Sequence, residues 1–254
     1  MTDNHPNHGK LKGKTAIVTG GSQGIGKAIV KRLAEEGASV GIFDVKSESG
    51  EALAGEIGSQ ALFVKTDCTR RSDVDLSVTR IVETFGQVDI LVNNIGWALP
   101  TFFMDEDEAY WDRVIALNSK TQLLLTQAVL KDMTKRKGGK IVNLSSDAGR
   151  VGQMQGVVYS LCKAGVIGFT KGLAREVARY NISVNCVCPG PTDTQLFEEA
   201  INPKIKETFH QIIPFKRIAK PEEIASAVAF FASPDADYIT GQILSVSGGL
   251  TMAG

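Results

Sequence analysis

Nearly continuous runs of β-branched and other apolar residues recur along the chain at 15–19, 40–43, 61–64, 88–92, 140–144, 183–187 and 242–246. Runs without polar alternation fit strands covered on both faces, as in a parallel sheet. Between them, apolar positions at helical spacing fill 25–36, 73–85, 108–135, 157–180 and 222–231, with turn residues at Gly37, Gly86 and Gly138-Gly139. This alternation, joined by right-handed crossovers, predicts a doubly wound α/β fold, a seven-stranded parallel sheet with helices on both faces. Ligands of such sheets lie outside the carboxyl ends of the strands, near the switch in strand order.

No repeat, low-complexity tract or linker divides the 254 residues, so one domain is expected over 11–254. Residues 1–10 are polar and read as a loose tail without the apolar core of a secretion signal. The one long insertion, 192–218, carries Leu196, Phe197, Ile201, Phe209, Ile212, Ile213 and Phe215 and is expected to form helices acting as a lid. Twenty-eight basic residues balance 28 acidic ones. Without a basic excess, neither a nucleic acid nor an acidic membrane surface is an expected partner. The most apolar segment, 224–232, is far shorter than the ~20 residues of a membrane span. Cys68, Cys162, Cys186 and Cys188 form no CxxC pair, and two of the three histidines lie in the tail, so no metal site is expected. Reduced, buried thiols of a cytoplasmic protein fit better.

The first strand runs into Thr19-Gly20-Gly21-Ser22-Gln23-Gly24-Ile25-Gly26, and a helix follows. Glycines at 20, 24 and 26 let the backbone turn and approach a pyrophosphate, which free N–H groups and the helix dipole favour. Asp44 closes the second strand, where a carboxylate accepts hydrogen bonds from both adenosine ribose hydroxyls and repels the extra phosphate of NADP, so NAD is the expected cofactor. Lys46 is the nearest residue able to blur that choice. Asp67 and Asn93-Asn94-Ile95-Gly96 follow the third and fourth strands, where Asp67 can meet the adenine amino group and Asn94 and Gly96 leave room beside the ribose; equally, they can cap the next helix.

Tyr159 and Lys163 lie one helical turn apart, and Ser146 follows the fifth strand. A tyrosine near pKa 10 is a poor base at neutral pH, and lowering it by about three units takes roughly 4 kcal/mol. A neighbouring ammonium and a positive nicotinamide ring can supply that by stabilising phenolate. Hydride then passes between a secondary alcohol carbon and the nicotinamide while Tyr159 carries the proton and Ser146 steadies the oxygen.

With Asn118 and Pro189-Gly190, these elements stand in an order that resembles the short-chain dehydrogenase/reductase family, with its Rossmann fold, from about Lys10 to the C-terminus. The resemblance implies that Tyr159 exchanges the proton, Ser146 holds the substrate oxygen, Lys163 binds the nicotinamide ribose, and Asn118 holds a water of a proton relay. It implies cofactor contacts by Gly20, Ser22, Gln23, Gly24, Ile25, Gly26, Asp44, Asp67, Cys68, Asn94, Gly96, Pro189, Gly190, Thr192 and Thr194. Ile95 departs from the usual alanine.

Stretches around Trp97, 145–152, 187–194 and 244–252 are similar to the branch of 2-hydroxycyclohexanecarboxyl-CoA dehydrogenases, which implies oxidation of a cyclic or aromatic β-hydroxyacyl-CoA. Trp97, Gln153 and Met154 then wall an acyl pocket, and Arg150 or Lys135-Arg136-Lys137 meets the CoA phosphates. The alternatives are a 3-oxoacyl-[acyl-carrier-protein] reductase and, from another class, a non-catalytic subunit that keeps only the fold. A homotetramer is the family's usual assembly, with the long helices at 108–135 and 157–180 at its interfaces.

Overall fold

The computed structural model describes residues 9–200 and 203–253. Seven strands, β1 (Thr15–Thr19), β2 (Ser39–Asp44), β3 (Ala61–Lys65), β4 (Ile90–Asn93), β5 (Gly139–Leu144), β6 (Ile182–Pro189) and β7 (Ile243–Val246), form one sheet in the order β3-β2-β1-β4-β5-β6-β7. Every pairing is parallel. The helices are α1 (Gly24–Glu35), α2 (Ser47–Ile57), α3 (Arg71–Phe85), α4 (Glu108–Ile115), α5 (Thr121–Arg136), α6 (Ala148–Val151), α7 (Val157–Val177), α8 (Gln195–Ala200), α9 (Pro203–Ile212) and α10 (Pro221–Ala232).

Successive strand residues serve opposite faces, which is why the strand runs carry no polar alternation. Val18, Ile42, Val92 and Val142 pack with Ile29 and Leu33 of α1 and Ile224 and Val228 of α10. Their neighbours Ile17, Phe43, Leu91 and Ile141 face the other way, onto Ile81 of α3, Leu125 and Val129 of α5 and Val177 of α7. Two buried layers thus clamp the sheet. The strand order reverses between β1 and β4, so the carboxyl ends of these two strands open the crevice that the sequence analysis anticipates.

Five local outcomes differ from the sequence expectations. Helix α2 went unpredicted. The single helix expected over 108–135 is α4 and α5 joined through a π-helical turn, Ala116–Lys120. At the end of α5, Lys137 and not Gly138 takes the left-handed conformation (φ +56°). Residues 1–8 of the expected tail lie outside the described residues, while Lys10 ion-pairs with Asp235 and Leu11 is part of the core. In the expected lid, α8 and α9 are present, with the Phe197 and Phe209 rings 5.9 Å apart; Ile201 and the Leu196 side chain lie outside the described residues. Helix α7, with its 3-10 extension to Tyr180, is long and apolar enough to cross a bilayer, a feature the sequence expectation overlooked. It lies along β5 and β6 and buries Lys163 and Ala174 against them, as a core helix does.

Candidate active site

The carboxyl ends of β1, β2, β4, β5 and β6 bring the predicted residues to one edge of the sheet. At the end of β1, Gly24 adopts φ +51°, and a Cβ on Gly26 would collide with the Gly20 carbonyl oxygen, so the turn closes only around bare Cα atoms. Asn94 staples this turn to β4: its Nδ2 donates to the carbonyls of Thr19 (2.9 Å) and Gly20 (3.1 Å), and its N–H donates to Thr19 Oγ1. The Ile95 side chain rests beside Gly20.

Asp44 is buried at the end of β2, and its carboxylate is already oriented. Ser22 Oγ donates to Oδ2 at 2.6 Å, the Ser22 N–H donates to the same oxygen, and the Lys46 N–H donates to Oδ1. Lys46 Nζ turns away to donate to Gln23 Oε1 at 2.6 Å. Asp67 Oδ1 accepts from both the N–H and the hydroxyl of Thr69, closing a turn ahead of α3, whose N-cap is Arg70, so Asp67 shapes the loop rather than capping the helix. Burial, with Asp44, Asp67 and Asp73 nearby, pushes the Cys68 thiol up to about 12. Cys68 therefore offers the site main chain rather than a reactive sulfur.

The catalytic group assembles from three elements. Ser146, in the loop after β5, accepts the Ala148 N–H on Oγ, and its hydroxyl is near enough to the Tyr159 phenol to favour the phenolate. Tyr159 packs against Val158 and Cys162 of α7 and Val114 of α4, the same cluster that Trp97 rests on. Lys163 is 2% exposed, donates from Nζ to the Leu144 carbonyl at 3.0 Å, and has its ammonium 5.6 Å from the centre of the Tyr159 ring. Burial lowers the Lys163 ammonium to about 8. It also raises the Tyr159 phenol above its ordinary value, while the Ser146 hydroxyl pulls it back. The expectation gave the lowering of the phenol to Lys163 and a positive nicotinamide ring together; here the Lys163 ammonium donates to the Leu144 carbonyl, and desolvation dominates the phenol.

Asn118 is fully buried, and its side chain is committed to main chain. Oδ1 accepts the Trp97 N–H (3.2 Å), and Nδ2 donates to the carbonyls of Trp97 (2.6 Å) and Val114 (2.9 Å). A Cβ on Gly96 would sit 3.0 Å from Lys163 Nζ and 3.2 Å from Asn118 Oδ1, so both side chains border this glycine.

On the other side, Gly190 packs against Ser247, Thr192 Oγ1 donates to the Gly190 carbonyl at 2.9 Å, and Thr194 lies beside Gly24. Thr194 also accepts the Phe197 N–H, which anchors α8 over the glycine turn. The predicted pocket residues separate. Trp97 rests on the same Val114, Val158 and Cys162 cluster as Tyr159, with the Arg113 guanidinium 4.0 Å over its ring. Gln153 and Met154 are exposed on a loop that meets the Trp97 loop through the Thr101 N–H and the Gln155 carbonyl. Arg150 does not reach outward to phosphates: it turns inward to Ser245 (2.9 Å) and the Ala253 carbonyl. Arg136 is likewise engaged, with Asp132, Asp89 and the Val88 carbonyl, at the amino edge of the sheet opposite the site. Arg150 and, of the Lys135-Arg136-Lys137 run, Arg136 are thus engaged within the protein and not turned toward CoA phosphates. The Arg113 platform over Trp97 was missed, because no spacing rule links residues 16 positions apart.

Comparison with known proteins places this geometry. A family model described as "Enoyl-(Acyl carrier protein) reductase" matches residues 20–251, and the chain belongs to the short-chain dehydrogenase/reductase family. It is an oxidoreductase acting on CH–OH or keto groups. It is 42% identical over 243 residues to the 3-oxoacyl-[acyl-carrier-protein] reductase FabG of Vibrio cholerae, covering 95% of this chain and 99% of that one. It is 39% identical over 246 residues to its namesake in Chlamydia trachomatis, with 95% and 99% coverage. A 3-ketoacyl-(acyl-carrier-protein) reductase from Brucella melitensis, crystallised with NADH, superposes with a TM-score of 0.91 at 33% identity, covering 95% of this chain and 100% of that one. These relatives are named for carrier-protein thioesters and not for the alicyclic CoA ester suggested by the local stretches.

Proposed function

We propose that this protein is an NAD(H)-dependent reductase of 3-oxoacyl thioesters, carried on acyl carrier protein, running in reverse as a 3-hydroxyacyl dehydrogenase. We further assign it one domain over residues 11–254, a cytoplasmic place and a homotetrameric state. The observation that carries the chemistry is the convergence of Ser146, Tyr159 and Lys163 beside the glycine turn. The full-length similarity to carrier-protein reductases supports the thioester.

The residues suit a nicotinamide dinucleotide. The cradle at Gly20, Gly24 and Gly26 is one that side chains would fill, which suits a close pyrophosphate, and the Asp44 carboxylate, held by Ser22, offers acceptors to a ribose diol. Bound there, NADH would supply the hydride for reduction, and NAD would accept it for oxidation. Tyr159 gives its proton to the substrate oxygen in reduction and receives it in oxidation. Ser146 Oγ donates to that oxygen as charge builds on it. With the cofactor bound, Lys163, next to Gly96 and the Tyr159 ring, would hold the ribose hydroxyls and, with the positive ring, favour the phenolate. Asn118 locks the Gly96-Trp97 turn against Lys163, and the relay water is left with its main-chain carbonyl, since its side chain is spent. Trp97 bounds the acyl end of the site.

A second reading, oxidation of a β-hydroxyacyl-CoA, is favoured by Asp44, whose charge opposes the 2′-phosphate of NADPH. Turnover of 3-oxoacyl-carrier-protein and 3-oxoacyl-CoA, each with NADH and NADPH, separates the two. The proposal expects carrier-protein thioester with NADH to give the highest kcat/KM and the Tyr159→Phe variant to give none. Preference for free CoA ester supports the second reading, and preference for NADPH removes the role given to Asp44.

A further inference from the structure

The C-terminal segment after β7 is fastened to the catalytic loop by a chain of polar contacts that the reaction itself does not use. Asp147, adjoining Ser146, is 5% exposed. Its Oδ1 accepts from Ser245 Oγ at 2.6 Å, while its Oδ2 has no hydrogen-bond partner. Arg150 Nη1 donates to Ser245 Oγ at 2.9 Å and reaches the Ile243 carbonyl at 3.5 Å, and Nη2 donates to the Ala253 carbonyl. Ser245 thereby relays between a buried carboxylate and a guanidinium, and Arg150 closes residues 245–253 into a strap.

The strap touches two further parts of the site. The Asp147 N–H donates to the Pro189 carbonyl at 3.1 Å, and the Gly190 N–H donates to the Val246 carbonyl at 3.0 Å, tying the Ser146 loop, the end of β6 and β7 together. At its middle, Gly248 and Gly249 lie against Ile213, Pro214 and Phe215, and the Phe215 N–H donates to the Gly248 carbonyl at 3.2 Å. The chain leaving α9 therefore rests on the same strap that holds the loop of Ser146.

We propose that Arg150 is a positioning residue that locks the C-terminal strap to the loop of Ser146, so that the strap sets the Ser146 hydroxyl against the Tyr159 phenol. The physical basis is the buried Asp147 carboxylate. With one oxygen unpartnered it depends on Ser245 and the nearby guanidinium, and removing the cation leaves a buried charge whose relief is movement of the loop itself. Misplacing a reacting group by about 1 Å costs on the order of 100-fold in rate. A lysine reaches one of the two acceptors but lacks the fork that bridges Ser245 and Ala253.

The effect on turnover rests on the reductase reading, so the test uses two readouts. Arg150→Ala is expected to lower kcat by roughly 10- to 100-fold, with the dissociation constant of NADH, followed by its fluorescence, within about threefold of the unaltered protein. Arg150→Lys restores only part of kcat. Removing residues 253 and 254 lowers kcat similarly, and combining that truncation with Arg150→Ala adds nothing, because both cut one tie. Hydrogen exchange, read in parallel, rises in peptides covering 146–150 on truncation and in those covering 247–252 in Arg150→Ala. The Ser245→Ala variant, a smaller change, moves both readouts the same way if Arg150→Ala folds poorly. Multiplicative losses in the double variant, or unchanged exchange in both segments, overturn the proposal. An unaltered protein without NADH-dependent turnover sinks the reductase reading instead, and the exchange data still decide the strap.

Discussion

Lys163 shows how one residue is made useful at the expense of the fold. Its ammonium is buried with a single carbonyl acceptor and is lowered to about 8. The unfolded lysine keeps its proton to about 10.4. Between these values the unfolded state binds more protons, so the contribution of this group to stability rises with pH from about 8 and levels off above about 10. At pH 7 both states are charged, and confinement of the charge costs up to roughly 3 kcal/mol. Lys163→Met is therefore expected to abolish turnover, yet to melt at or above the temperature of the unaltered protein at pH 7, with the difference closing towards pH 10. Thermal melts at three pH values, with activity, check this; a variant less stable at pH 7 than at pH 10 relative to the parent rejects it. The position of Lys163 one turn from Tyr159 was readable from the sequence, since helical spacing fixes it. The burial that lowers its ammonium was not, because burial belongs to the assembled helix and sheet.

At the scale of elements, the strands were legible because parallel strands between two helical layers have no polar face to hide. Helix α2 packs Leu53, Ala54 and Ile57 on the core at helical spacing, and the first position of that face is Gly50, with the ring of Phe63 lying where its Cβ would be. A stripe that opens on glycine and holds only two large apolar residues is short enough to be overlooked. The π-helical turn at Ala116–Lys120 escaped for a different reason: one extra residue in a turn needs no breaker, so a continuous helix was expected. That turn carries Asn118, whose side chain meets the loop after β4 at Trp97, next to Gly96. Gly96 does not need a left-handed backbone, but it does need emptiness. Gly96→Ala is thus expected to fold with little change in melting temperature. Its methyl would press on the Lys163 ammonium and the Asn118 amide and lower kcat by on the order of 10- to 100-fold. Steady-state rates alongside melting curves check it; full activity would mean that the three elements do not share this contact.

For the whole molecule, the remaining question is which surfaces the long helices leave open. Of the apolar residues on them, Val166 is core, and Leu124 and Leu173 pack against the layer beneath the sheet. Leu123 stands out on α5, half exposed, joined by Ile115 at the end of α4 and by Val157 and Leu161 on α7, the last 66% exposed. The helices bearing them adjoin one another through α4, the π-helical turn and α7. Each exposed leucine forgoes about 1.5–3 kcal/mol of burial, and several on adjoining core helices are an expense that a second copy of the chain removes. The proposed homotetramer then predicts that sedimentation gives four times the mass of one chain, and that Leu161→Glu, alone or with Leu123→Glu, gives smaller species. A charge at these exposed positions leaves the two buried layers untouched, so the far-ultraviolet spectrum stays that of the parent. A parent chain that sediments as a monomer at micromolar concentration ends the assembly proposal, whereas assembly insensitive to both glutamates moves the interface to another face.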